Sequence, residues 1–135
     1  PKLMPTAYRP LSNVSNYAAL DSSATGALTR GMALAVVSWP TGSTELPKVK
    51  GCADGTRPDG VVLDAIDLGA TGRFAPRCAA SSAVILGGSV MAGDLLKVSS
   101  GKFVKCATGE RGYLRALQAG SSGDLINAEP ADLVA

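Results

Sequence analysis

The sequence predicts an all-β protein: a small antiparallel barrel or sandwich with an internal pseudo-duplication, carrying an extended N-terminal arm. Three observations predict it. Short apolar runs, among them Leu95–Ser99, Phe103–Ala107 and Tyr113–Ala119, are separated by breaks rich in Gly and Ser, as in antiparallel strands joined by tight turns. Sixteen of the 135 residues are glycine, well above the roughly 7% average; with no collagen period, the excess reads as turns. The chain also echoes itself, with GMALAVVS at 31–38 resembling GDLLKVSS at 93–100 and VKGCADGTRPDGVVLDAIDLGATGRF at 49–74 resembling VKCATGERGYLRALQAGSSGDLI at 104–126.

Residues 1–24 form the expected arm. Pro1, Pro5 and Pro10 recur along it, and proline offers no N–H and restricts the residue before it. Between and after them stand Leu3, Met4, Tyr8, Leu11, Val14 and Tyr17, too apolar for an ordinary disordered tail. The segment therefore reads as an extended arm that packs on a partner, on a neighbouring copy or on its own domain. Fully extended, twenty residues reach roughly 65 Å. Lys2 and Arg9 make it basic, with no acidic residue before Asp21. Asn16–Ala24 reads as a short helical turn. Pro1 matches the residue left when an initiator methionine is trimmed before a small side chain, which suggests a native N-terminus.

The β domain is expected over residues 25–135, one domain with enough chain to bury a core. Met32–Trp39 is the first strand, ended by Pro40, and Thr41–Leu46 a polar loop. Pro47–Ala53, Val61–Ile66 and Arg73–Cys78 follow, the first two separated by the turn-rich Asp54–Gly60. Ala83–Gly87 is a fifth strand and Ser89–Met91 a partial sixth. Ser100-Gly101 fits a two-residue hairpin turn, which sets Leu96 against Lys105, Val98 against Phe103, Lys97 against Val104 and Leu95 against Cys106. A last strand starts at Leu125. The repeat aligns Cys52 with Cys106, Gly60 with Gly112, Ala65 with Ala116, Gly69 with Gly120 and Gly72 with Gly123. The spacing drifts along the chain, so this alignment requires short loop insertions or deletions. Two units are too few for a solenoid.

Candidate chemistry is sparse. There is no histidine, which removes Ser-His-Asp and Cys-His catalysis in their usual forms and the commonest metal ligand. Cys52, Cys78 and Cys106 are far apart and odd in number; they predict reduced, buried thiols of a cytosolic product rather than a zinc site or a disulfide framework. Asp64 and Asp67 alternate to opposite faces of a strand, and Asp54 and Asp59 flank a turn that such residues cap. The Gly-rich segments do not match a phosphate-binding loop, and Asn13-Val14-Ser15 fits a glycosylation triplet without a secretory context. The expectation is a non-enzyme with no cofactor and no metal. The most apolar stretch, Ala83–Leu96, is too short and too interrupted to span a bilayer. The formal net charge of +2 is too small to imply nucleic acid. Lys97, Lys102 and Lys105 with Phe103 could make a basic binding hairpin, but lysines that keep a strand edge soluble are the simpler explanation. Trp39, the sole tryptophan, is either a core anchor or an interface residue, and the core is the commoner place for one.

The unit at 93–126 resembles tailed-phage head decoration proteins, also called capsid cement proteins. The shared features are a G-D-L-[LV]-K-V strand (Gly93–Val98), a G-K-[FV]-V-K hairpin (Gly101–Lys105), a glycine-led strand (Gly112–Ala119) and an A-G-x-x-G-D-L-[IV] segment (Ala119–Ile126). The first half, at Gly31–Val37 and Gly60–Ala65, matches more loosely, and the resemblance spans about residues 26–129. It implies a structural protein on the outer surface of the expanded head, made in the host cytoplasm. Such a protein would bridge major capsid protein subunits and stabilise the shell. Self-association as a trimer, or alternatively a dimer, is implied, without direct nucleic acid or membrane contact. Lys2, Leu3, Met4, Tyr8, Arg9, Leu11, Tyr17 and Trp39 are the candidate partner-binding residues. The alternative is a small β-barrel binding module for single-stranded nucleic acid or glycan, using the Lys97–Lys105 hairpin.

Overall fold

The computed structural model describes residues 16–42, 45–76 and 82–135; the arm residues 1–15 lie outside them, as does Cys78. The described residues form ten strands and no helix. The first half comprises β1 (Asn16–Leu20), β2 (Ala33–Ser38), β3 (Lys48–Gly51), β4 (Gly60–Val62) and β5 (Thr71–Pro76). They close into a barrel in the order β1-β3-β2-β4-β5, with β1 returning to β5. The second half comprises β6 (Ser82–Ile85), β7 (Leu95–Ser99), β8 (Lys102–Lys105), β9 (Arg111–Ala116) and β10 (Leu125–Val134). Its order is β6-β10-β9-β7-β8, and a parallel bridge from Leu86 to Phe103 brings its two edges together.

The two orders are the same order. β1 corresponds to β6, β2 to β7, β3 to β8, β4 to β9 and β5 to β10, with antiparallel pairs matching antiparallel pairs; the one parallel pair, β1 with β3, matches the Leu86–Phe103 bridge. The pseudo-duplication is therefore a property of the backbone. Its register corrects the alignment made from sequence. Cys52 and Cys106 do correspond, each donating its N–H to the equivalent carbonyl, of Ala33 and Leu95. From there the spacing stays constant. Gly60 matches Leu114, Val62 matches Ala116, and the bridge partner Ile66 matches Gly120. Gly69 matches Gly123, both at positive φ in equivalent turns. No insertion is needed in this segment; the sequence alignment slid because Gly and Ala are too common to fix a register.

The folded unit begins earlier than residue 25. Asn16–Leu20, expected as arm with a helical turn, is strand β1, antiparallel to β5 and parallel to β3, with Ala18 fully buried. β1 closes the first barrel, so cutting the chain after residue 20 would open it. The hairpin β7–β8 has the expected register, Leu96 opposite Lys105 and Val98 opposite Phe103. Ser100 and Gly101 both take positive φ, 52° and 77°, as a primed two-residue turn requires.

Each half has its own core. Ala18, Leu28, Leu34, Val49, Val62, Ile66 and Phe74 fill the first barrel. Val84, Leu86, Leu96, Phe103, Leu114, Ile126 and Ala128 are among those filling the second. Each core is built around one phenylalanine, on non-equivalent strands: Phe74 and Val49 in the first half correspond to Ala128 and Phe103 in the second. Moving the large ring while shrinking its opposite number keeps the filled volume similar. Ala33, Cys52 and Val61 leave the first barrel and join the second core, so the halves share apolar contact.

Candidate interaction surface

Strand β2 carries the structural feature that shapes this surface. Its pairing with β3 runs Leu34–Gly51, Ala35–Lys50 and Val36–Val49, then shifts so that Ser38 faces Lys48. The extra residue, Val37, is squeezed out as a bulge and is exposed. The Val36 N–H is taken by the Asp59 carboxylate at 2.8 Å. Past the bulge the chain emerges as Trp39-Pro40. Trp39 is 62% exposed, which overturns the core alternative for this residue.

Tyr17 lies at the same end of the first barrel. β1 runs parallel to β3, with Ala19 beside Lys48, while β2 ends beside Lys48 at Ser38. The start of β1 and the end of β2 are therefore level, two strands apart. Ala18 points inward, so Tyr17 points out, and it is 58% exposed. Tyr17 pairs in register with Arg73, whose guanidinium binds Asp64 at 2.6 Å. That hydrogen bond holds the Asp64 carboxyl below its ordinary value, and Asp64 is a surface ion-pair partner. Asn16, the first described residue, lies at this end. Of the candidate partner-binding residues, Tyr17 and Trp39 lie at the same end of the first barrel; Lys2, Leu3, Met4, Tyr8, Arg9 and Leu11 lie outside the described residues. Val37 joins them and was not singled out by the sequence, because a bulge has no signal in an unbroken β-branched run.

The remaining candidates have structural roles. Asp54 accepts the Ser100 N–H at 2.7 Å, and Asp59 caps β2 as described. Cys52 and Cys106 are buried, and desolvation pushes both thiols up. Among the described residues no cluster of His, Cys, Asp and Glu could hold a metal ion. In the basic hairpin, Lys97 binds Glu110 at 2.6 Å and Lys105 lies 3.9 Å from Asp94. Phe103 is fully buried, so it offers no stacking face. The hairpin tip is also occupied: the Gly101 carbonyl accepts the Ala33 N–H at 2.9 Å. A binding groove built on Lys97–Lys105 lacks its aromatic, and two of its three lysines stand beside carboxylates.

No family model matches the chain, and no curated protein matches it in sequence. Among solved structures, the N base of the head fiber gp8.5 of bacteriophage phi29 is similar in fold, with a TM-score of 0.67 and 21% identity over 87% of this chain and 93% of that one.

Proposed function

We propose that the chain is a structural, non-enzymatic component of a tailed-phage head, bound to the outside of the expanded shell, where it bridges major capsid protein subunits and stabilises them. The duplicated β fold carries this reading: a solved structure similar to it is the N base of a phage head fiber, and the likeness runs over 87% of the present chain. The decoration-protein pattern at Gly93–Ile126 supports the same assignment. So does the absence of histidine from the sequence, which leaves the usual nucleophilic and acid–base constellations without their central group. Repetition over a shell adds avidity to individually weak contacts, so a body of 13.6 kDa can act as cement without a large single interface.

The test is co-sedimentation. Purified protein mixed with expanded, undecorated heads is expected to pellet with them and to saturate at a fixed number of copies per head. Heads treated in this way should also withstand heat or osmotic shock better than bare ones. A protein that stays in the supernatant at every concentration would remove the proposal.

A further inference from the structure

The second half of the chain is closed differently from the first, and the duplication shows where. In the first barrel, β1 and β3 meet in parallel through Ala19 with Lys48 and Leu20 with Val49. Two hydrogen bonds fasten them, from the Ala19 N–H to Pro47 O at 3.1 Å and from the Asp21 N–H to Val49 O at 2.8 Å. The Leu20–Val49 bridge has its twin in the Leu86–Phe103 bridge, and neither involves the bulge in β2. Counted from these bridges, Ile85 and Gly87 are the twins of Ala19 and Asp21, and Gly101 is the twin of Pro47. The partners across the sheet agree, with Ala19 opposite Thr71 and Ile85 opposite Leu125.

Half of this closure is replaced in the second barrel. The Gly87 N–H still reaches Phe103 O, at 2.8 Å. The Ile85 N–H, whose twin bonds Pro47 O, donates instead to Gly31 O at 3.0 Å, and Gly101 O accepts the Ala33 N–H at 2.9 Å. Three residues of the first half thus span the gap between β6 and β8 with one acceptor and one donor. Their other backbone groups hold them to their own barrel. The Gly31 N–H donates to Val62 O, the Val62 N–H to Met32 O and the Cys52 N–H to Ala33 O. The fit is close: a Cβ on Gly31 would lie 2.7 Å from the Ile85 nitrogen, and one on Gly101 would lie 2.6 Å from Met32 Cε. Ala33 is fully buried and belongs to the second core.

We propose that Gly31–Ala33 is a strap that closes the second barrel, and that this barrel opens at the strap before the first barrel opens between β1 and β3. The reason lies in what each closure keeps for itself. Without the strap, β6 and β8 retain one hydrogen bond of their own, Gly87 to Phe103, where β1 and β3 retain two. A lone bond between two strand edges gains little once water can replace it, so Gly87 is released when the strap leaves. The strap is also positioned by the first half alone, through Val62 and Cys52. Closure of the second barrel therefore depends on a first barrel already in place, and the device ties the state of one half to the other.

Native-state hydrogen exchange on the full chain tests this at five amides, each corrected for its intrinsic rate. Ala33, Ile85 and Gly87 are expected to exchange through one shared opening, roughly 10-fold faster than Ala19 and Asp21, the equivalent of about one net hydrogen bond. Gly31→Ala crowds the strap and is expected to speed the first three together. Gly93→Ala carries the same positive-φ strain in the equivalent turn with nothing packed against it, and should leave the gap between the two groups of amides as in the wild type. A Gly87 amide that stays protected while Ala33 and Ile85 exchange shows that β6 and β8 close without the strap, and overturns the proposal. One common rate for all five amides overturns it as well, because the second barrel then opens only with the first. Should Gly31→Ala fail to fold, the wild-type rates decide alone.

Discussion

Gly31 and Gly93 hold equivalent positions in equivalent turns, at φ of 88° and 91°, yet their surroundings differ. A Cβ on Gly93 would meet nothing within 4 Å. A Cβ on Gly31 would lie 2.6 Å from Leu125 Cδ2 and 2.7 Å from the Ile85 backbone nitrogen, inside the seam between the halves. Gly93→Ala is thus expected to cost the positive-φ penalty alone, about 1–2 kcal/mol. Gly31→Ala adds a clash that only movement of the second barrel can relieve, so its loss in denaturant midpoint should be clearly the larger. Equal losses would mean that the seam yields freely and that the halves are not tightly seated. The sequence marks both glycines as turn residues. It cannot distinguish them, because the distinction lies in which half of the molecule has something packed against it. Trp39 has the same history: composition favours a core tryptophan, yet it lies just past the end of β2 and is exposed.

At the level of strands and turns, what was legible in the sequence was local. The β7–β8 register follows from a two-residue Ser-Gly turn and alternation, so every pair can be written down from the primary structure. Strand β1 could not, because Asn16–Leu20 is short, mixed and close to prolines, and its place depends on β3 and β5, residues far along the chain. The same holds for the repeat. Turn glycines such as Gly69 and Gly123 show their equivalence only once their φ angles and hydrogen bonds are known. The turn between β8 and β9 carries a pH dependence that is local as well. Glu110 binds the Lys97 ammonium and the Ala107 N–H, and these bonds, Lys97 first, hold its carboxyl below the ordinary value. A carboxylate favoured in the folded state contributes stability that is complete above its unfolded value, about 4.3. That contribution is lost as pH falls through the lowered folded value. Glu110→Gln should therefore reduce stability at neutral pH and lose less of it than wild type on acidification from roughly pH 5 downward. Parallel acid-unfolding curves for the two proteins would show that the pair contributes nothing.

For the molecule as a whole, the shared seam decides whether two barrels behave as two domains or as one. Each half has a closed or nearly closed strand order and its own phenylalanine-centred core, which alone would allow separate unfolding. Against that, Ala33, Cys52 and Val61 are built into the first barrel's strands or their continuation but are buried in the second core. Among the described residues, three backbone hydrogen bonds and one from the Ser100 N–H to the Asp54 carboxylate also cross the seam. Separating the halves would expose that apolar floor to water and exchange those hydrogen bonds for bonds to water, a net loss of about 0.5–1.5 kcal/mol each. The seam thus represents a substantial part of the 5–15 kcal/mol by which such a domain is typically stable. Phe103→Ala, a cavity at the centre of the second core, is expected to cost about 3–5 kcal/mol. If the halves are coupled, that loss will appear in both. Calorimetry should show one transition at a lower temperature, and the amides of Leu34 and Val62, deep in the first barrel, should exchange faster in proportion. Two transitions, with the first barrel's amides protected as in the wild type, would refute the coupling. A coupled pair has no hinge between its halves, so a force applied to either half would be borne by both cores.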